Sequence, residues 1–327
     1  MRTFLFAFLL ATSALAADEH DFIVKDFRFH DGETMAEVRI HYVTIGTAGN
    51  DNAVLVLHGT GGSSKQFLND RFAGVLFKPG GVFDTSRYFI IIPDNIGHGA
   101  SSKPSNGLGR KFPHYDYDDM IELQHRLVES LGVHHLFVVM GTSMGGMHTW
   151  MWGERWPDAM DALVPLASAP VEIAGRNRVW RKMMLDDLDR GDVEGADQIL
   201  MIVGSAPLQW QKEMPARDAA DRWYESQMKS RLASTNADDL RYALDASRDY
   251  DPSPDLEKIK APLLAINSAD DFINPPELGI LDRLIKRVPH GHYLLIPTSD
   301  ETHGHSTHTW AAVWEGKLRK FLETTGR

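Results

Sequence analysis

Leu136-Phe137-Val138-Val139-Met140-Gly141-Thr142-Ser143-Met144-Gly145-Gly146-Met147 joins a short, wholly apolar run to a helical pattern through a glycine-built turn. The run Leu136–Met140 reads as a strand buried on both faces, and Met144–Trp156 reads as a helix that stops before Pro157. Between them, Gly141-x-Ser143-x-Gly145 is a G-x-S-x-G pattern in a strand–turn–helix setting, the context of a nucleophile elbow. Side chains two residues either side of the serine would clash in so tight a turn, and Gly146 relieves the helix start further. The helix N-terminus places partial positive charge where an oxyanion would form. Ser143 is the candidate nucleophile, and the backbone N–H of Met144 is one candidate oxyanion donor. The competing reading is a tight turn carrying an inert serine.

Working outward, the same kind of apolar run recurs at Ala53–Leu57, Tyr88–Ile92, Ala162–Leu166, Leu263–Ile266 and Tyr293–Ile296. Two earlier β-like runs, Phe22–Phe29 and Ala36–Ile45, flank Asp31-Gly32 and read as a hairpin. Helical patterns fall at Tyr117–Leu131, Pro276–Val288 and Thr309–Leu322. Continuous apolar strands alternating with helices imply an α/β fold with a mostly parallel central sheet and helices on both faces. Residues 170–258 break this rhythm. They are helix-like, charged and hold Trp180, Trp210 and Trp223, so they are expected to form a helical cap inserted before the acid-bearing strand. The core is then 17–169 with 259–327.

A serine nucleophile needs a histidine to take its proton and a carboxylate to hold that histidine. In this fold their chain order is serine, acid, histidine. The strand run Leu263–Ile266 leads to Asp270 and Asp271; Asp271 is preferred because it stands four residues before Pro275, which can open the next helix, and Asp270 stays open. The last strand leads to His303, His305 and His308, and His305, after Gly304 and before the final helix, is the candidate base. The second oxyanion donor is expected from His58-Gly59-Thr60-Gly61-Gly62, at the Thr60 backbone N–H. That loop lacks the Lys-Ser/Thr ending of a phosphate-binding loop. His303, His305 and His308, with His290 and His292, allow a metal site as an alternative, although the H-E-x-x-H helix is missing. His98 reads as a structural loop residue. No cofactor is expected.

The 327 residues contain no cysteine, which excludes disulfides, thiol catalysis and cysteine-based metal centres. With 34 basic and 45 acidic residues the formal charge is −11, and no basic stripe offsets it, so nucleic acid is not an expected partner. The N-terminus, Met1-Arg2-Thr3 followed by the apolar run Phe4–Ala11 and by Ala14-Leu15-Ala16, reads as an export signal at residues 1–16. No later stretch is apolar enough to span a membrane. The expected protein is exported, to a periplasm or beyond the cell, without stable membrane insertion.

Taken together, the chain resembles the α/β-hydrolase superfamily over its expected mature length, and more closely its homoserine O-acetyltransferase-like branch. The residues carrying that likeness are Phe112-Pro113, Asp119-Met120, Gln124, Leu131-Gly132-Val133, Ser143-Met144-Gly145-Gly146-Met147 and Trp156-Pro157-Asp158. The resemblance implies Ser143 as acyl acceptor, Asp271 and His305 as its partners, and a helical lid. The loop Asn95–Pro104 departs from the transferases and looks like that of ordinary esterases. Export would also separate a transferase from cytoplasmic acetyl-CoA. The expected activity is hydrolysis of a small acyl compound such as an ester, with acyl transfer second and a silent binding module on the same fold third.

Overall fold

The structure is a computed structural model that describes residues 17–49 and 51–325; the expected export segment, residues 1–16, lies outside them. Its strands are β1 (Ala17–Arg28), β2 (Thr34–Ile45), β3 (Ala53–Leu57), β4 (Phe89–Pro93), β5 (Leu136–Thr142), β6 (Met160–Leu166), β7 (Leu263–Ser268) and β8 (Gly291–Ile296). The helices are α1 (Ala73–Leu76), α2 (Tyr117–Ser130), α3 (Met144–Arg155), α4 (Gly175–Asp189), α5 (Val193–Val203), α6 (Pro207–Glu213), α7 (Arg217–Leu232), α8 (Ala237–Asp245), α9 (Ile280–Leu284) and α10 (Glu315–Glu323). All eight strands pair in one sheet, in the order β1-β2-β4-β3-β5-β6-β7-β8. The β1–β2 hairpin and the β2–β4 pair are antiparallel, and every pair from β4 to β8 is parallel.

The continuous apolar runs follow from burial on both faces. In β3, Val54 and Val56 enter one buried cluster, whereas Leu55 and Leu57 enter another on the opposite face. Side chains alternate along a strand, so an element covered on both sides can carry no polar face. One cluster takes Met120, Ile121 and Leu127 of α2, Trp150 and Trp152 of α3, and Leu281 and Leu284 of α9. The other takes Leu76 of α1 and Leu318, Phe321 and Leu322 of α10. At the start of α2, Asp116 accepts from the Asp119 N–H at 3.0 Å and Asp119 accepts from the Asp116 N–H at 3.0 Å, a reciprocal cap.

The five helices α4–α8 fill the interval expected to form a cap. A third buried cluster joins three of them, built on Trp180, Met184, Leu185 and Leu188 of α4, Val203 of α5, and Leu240 and Leu244 of α8. No helix of the described residues is long and apolar enough to cross a membrane.

Two expected helices are corrected. Pro276–Val288 is broken into a 3-10 turn at Pro276–Leu278, α9, and another at Ile285–Arg287. Gly279 stands at the first break with φ 58°, a left-handed conformation that ends a helical turn. In place of Thr309–Leu322, 3-10 turns at Gly304–Thr309 and Ala311–Val313 precede α10. The strand expected at Tyr88–Ile92 is shifted one residue, to Phe89–Pro93, and the four-residue α1 is too short to leave a period in the sequence.

Candidate active site

Ser143 sits between β5 and α3 with φ 55° and ψ −114°, a conformation that a non-glycine residue holds only when its surroundings enforce it. The enforcement is steric. A Cβ on Gly141 would come within 2.1 Å of the Gly145 carbonyl oxygen, and one on Gly145 within 2.0 Å of the Leu57 carbonyl oxygen. A Cβ on Gly146 would meet the Leu166 carbonyl oxygen at 2.5 Å. Helix α3 thus packs directly on β3 and β6, and only glycine allows it. The Ser143 N–H donates to the Leu166 carbonyl at 2.9 Å, which pins the turn to β6. Helix α3 begins at Met144, where the first-turn N–H groups have no intrahelical acceptor.

Across the sheet edge, His305 Nε2 lies 2.9 Å from Ser143 Oγ and His305 Nδ1 lies 2.8 Å from Asp271 Oδ2. With Nδ1–H donating to the carboxylate, Nε2 is left to accept the serine hydroxyl proton. Asp271 is itself held: its Oδ1 accepts the N–H groups of Ile273 at 2.8 Å and Asn274 at 3.2 Å, and its Oδ2 accepts from Asn274 Nδ2 at 3.2 Å. Burial alone would push this carboxyl up, but His305 and the Asn274 hydrogen bonds outweigh it and hold it below the ordinary aspartate value. Asp270 turns the other way. It accepts from Ser268 Oγ and, at 2.9 Å, from the N–H of Gly304. It therefore braces the loop that carries His305 rather than the imidazole.

The glycine loop after β3 crosses above the serine, for a Cβ on Gly59 would stand 3.3 Å from Ser143 Cβ. Thr60 lines the same cavity as Ser143 and His305. Gln66, which sequence reasoning missed, ties this loop to the elbow. It accepts from the Gly59 N–H at 3.2 Å and donates to Thr142 Oγ1 at 3.0 Å. His58 is buried beneath, donating from Nδ1 to the Gly59 carbonyl at 2.8 Å and accepting the Asn95 N–H on Nε2 at 3.1 Å. Burial holds it below the usual histidine value, as a neutral strut. His98, expected as a structural loop residue, lines the cavity that Ser143 and His305 share. Its Nδ1 donates to the Ile96 carbonyl at 3.0 Å, and burial, aided by His58, pulls it down to about 3.

The loop histidines point to different neighbours. His303 stacks on Trp310 with ring centroids 3.7 Å apart, and His308 is buried edge-on to His305, which leaves it with a pKa of about 3. The one grouping of metal-type ligands among the described residues is His30, Asp116 and Asp118, and none of the loop histidines belongs to it.

Two cavities meet at Ser143. One, of about 880 Å³, opens between the segment leading into α4 and the β7–α9 loop. The other, of about 770 Å³, lies under the lid, where Trp180, Trp210 and Trp223 all reach its wall. Arg181 of α4, also missed from sequence, lines both. Its guanidinium is buried, donates to Asn177 Oδ1 at 3.0 Å and Ser247 Oγ at 3.2 Å, and lies 4.8 Å from the centre of the Trp180 ring. One arginine in a charged helix carries no sequence signal that it points inward.

The family model for the alpha/beta hydrolase fold matches residues 52–303. Among curated proteins, the homoserine O-acetyltransferase of Methanohalophilus mahii is 33% identical over 201 residues, which cover 55% of this chain and 41% of that protein. The chain thus matches less than half the length of that relative. Among solved structures, an acetylester hydrolase from Corynebacterium glutamicum superposes with a TM-score of 0.82 at 18% identity, covering 94% of this chain and 96% of that one. The homoserine O-acetyltransferase of Staphylococcus aureus gives 0.81 at 19% identity, covering 94% and 95%. At such identity the superpositions speak for the fold, and the family match spans most of the chain. With the elbow, the sheet order and the family model in agreement, the chain belongs to the α/β hydrolase fold family.

Proposed function

We propose that the protein is an exported serine hydrolase that cleaves an ester or similar acyl compound through an acyl-enzyme on Ser143. The observation that carries this reading is the hydrogen-bonded chain from Ser143 Oγ to His305 at 2.9 Å and on to Asp271 at 2.8 Å, a catalytic triad. Ser143 Oγ attacks the carbonyl carbon and passes its proton to His305 Nε2. The carbonyl oxygen, now negative, is stabilised by the N–H groups of Thr60 and Met144. His305 then protonates the leaving alcohol as the C–O bond breaks. A water gives its proton to His305, attacks the acyl carbon, and Ser143 leaves as the restored hydroxyl. Asp271 keeps His305 in the required tautomer throughout.

Acyl transfer is the second reading, and the likeness to homoserine O-acetyltransferases favours it. It differs only in the acceptor, an alcohol or amine in place of water. The apolar N-terminal run Phe4–Ala11 supports export, and export removes a cytoplasmic acyl donor from reach, so hydrolysis stands first. The test is Ser143→Ala, assayed on a panel of chromogenic esters and with a labelled fluorophosphonate. Both activity and labelling are expected to vanish, with kcat down by several powers of ten. Retained labelling in the variant overturns the mechanism. Faster turnover on adding a small alcohol, with a new ester as product, puts transfer first.

A further inference from the structure

The two cavities that share Ser143 differ in what else they touch. The cavity under the lid is walled by His305 and Thr60, by Trp180, Trp210 and Trp223, and by more polar groups than its neighbour, Arg231, Asp239 and Asn236 among them. The cavity beside the acid loop has neither His305 nor Thr60 in its wall. Its lining is mostly apolar, with Val171, Ile173, Leu281 and Tyr293 continuous with the core beneath the sheet. Phe272 and Leu278, both exposed, stand at its rim. The rim is braced, because the Arg176 guanidinium lies 3.7 Å from the Phe272 ring centre and donates to the Phe272 carbonyl.

The reaction assigns one half of the substrate to each cavity. The leaving oxygen must reach His305 Nε2 to be protonated, and the carbonyl oxygen must reach the Thr60 N–H. Both groups face the cavity under the lid, so the leaving alcohol extends there. The acyl substituent, on the far side of the carbonyl carbon, then points to the other cavity, which Ser143 also lines. A volume of about 880 Å³ lies in the range that takes a ligand of many heavy atoms, and an acetyl group would leave most of the apolar wall uncovered.

We propose that the substrate is an ester joining an extended apolar acyl group, held in the cavity between Val171 and Leu278, to a polar alcohol held under the lid. This deepens the hydrolase reading and rests on it. Each methylene that leaves water for the apolar wall contributes up to about fourfold in kcat/KM.

The experiment is a p-nitrophenyl ester series from acetyl to dodecanoyl on the full protein, with fluorophosphonate labelling of Ser143 on the same samples. Wild type is expected to favour octanoyl over acetyl by about 30-fold or more in kcat/KM. Val171→Trp, which fills the cavity, is expected to lower that ratio at least about tenfold, and Leu278→Asp, at the exposed rim, to lower it for the longest chains. The ratio is the readout, since a merely destabilising change lowers both esters together. Glyceryl monooctanoate is expected to be cleaved faster than butyl octanoate. Labelled enzyme that favours acetyl, or a ratio unmoved by both variants, overturns the cavity assignment and leaves the serine hydrolase. A preference for the butyl ester overturns the polar-alcohol half. Protein that neither labels nor cleaves any ester overturns both readings together.

Discussion

His305 Nε2 stands 2.9 Å from Ser143 Oγ although 162 residues separate the two in sequence, and Asp271 holds the far side of the same ring at 2.8 Å. The neighbouring Asp270 faces Ser268 and Gly304 instead. Asp271→Asn is therefore expected to lower kcat by about 10⁴, the loss known from a corresponding change in another triad enzyme, because the amide stabilises the wrong imidazole tautomer. Asp270→Asn is expected to lower it about tenfold or less, through a looser His305 loop. Steady-state kinetics on one chromogenic ester decides; comparable losses in both would place the acid elsewhere.

Gly145 leaves no room for a side chain, since a Cβ there would sit 2.0 Å from the Leu57 carbonyl oxygen. Backbone cannot move aside as the end of a flexible side chain can. Gly145→Ala is expected to destabilise by about 3 kcal/mol or more, at the upper end for overpacking, and to displace Ser143. Urea unfolding followed by tryptophan fluorescence gives the first quantity, and the fluorophosphonate labelling rate gives the second.

Glu154 of α3 has a buried Oε1 with no hydrogen-bond partner, and burial, with Asp255 adding to it, raises its pKa to about 8 from the ordinary glutamate value of 4.5. Between those two values the folded chain keeps a proton that the unfolded chain has released. Stability from this group is thus present at low pH, falls as pH rises through that window, and is flat above it. Glu154→Gln, which needs no ionisation, is expected to flatten that decline and to be the more stable protein at pH 8, by on the order of 1–3 kcal/mol. Melting curves of both proteins from pH 5 to 9 test this, and parallel curves would count against it.

The three lid tryptophans divide by packing. Trp180 is buried in the lid's own cluster, whereas Trp210 and Trp223 pack on each other with ring centroids 4.9 Å apart at the cavity wall. Trp180→Ala is expected to loosen the lid at a cost of about 3–5 kcal/mol, seen as early proteolysis within residues 170–258. Trp210→Ala and Trp223→Ala are expected to change the preference among alcohol leaving groups several-fold, with Ser143 still labelled. An unchanged leaving-group profile in both would make the pair purely structural.

His303 is stacked on Trp310, and His308 is buried against His305. Ester hydrolysis is expected to be indifferent to metal chelators, and mass spectrometry of the purified protein to find no stoichiometric zinc. Activity lost on chelation and restored by zinc would return the histidine loop to the metal reading.

The elbow and the strand run were legible in the sequence because both are local. Glycines two residues either side of Ser143 record a clash between near neighbours, and the unbroken runs at Ala53–Leu57 and Leu136–Met140 record burial on two faces. Chain order alone carried the acid and the histidine to within a few residues. What tertiary structure decided was direction. Asp270 and Asp271 are neighbours between which the spacing to Pro275 gave only a preference, and the turn after β7 sends one to Gly304 and the other to His305. The breaks at Gly279 and after Thr309 were hidden because apolar spacing reports which residues are covered, not whether the backbone between them is one helix. Arg181 and Gln66 were hidden for a related reason. A polar side chain announces its chemistry in sequence, but its aim depends on surfaces brought together from distant parts of the chain: the lid against the sheet for Arg181, and the glycine loop against the elbow for Gln66.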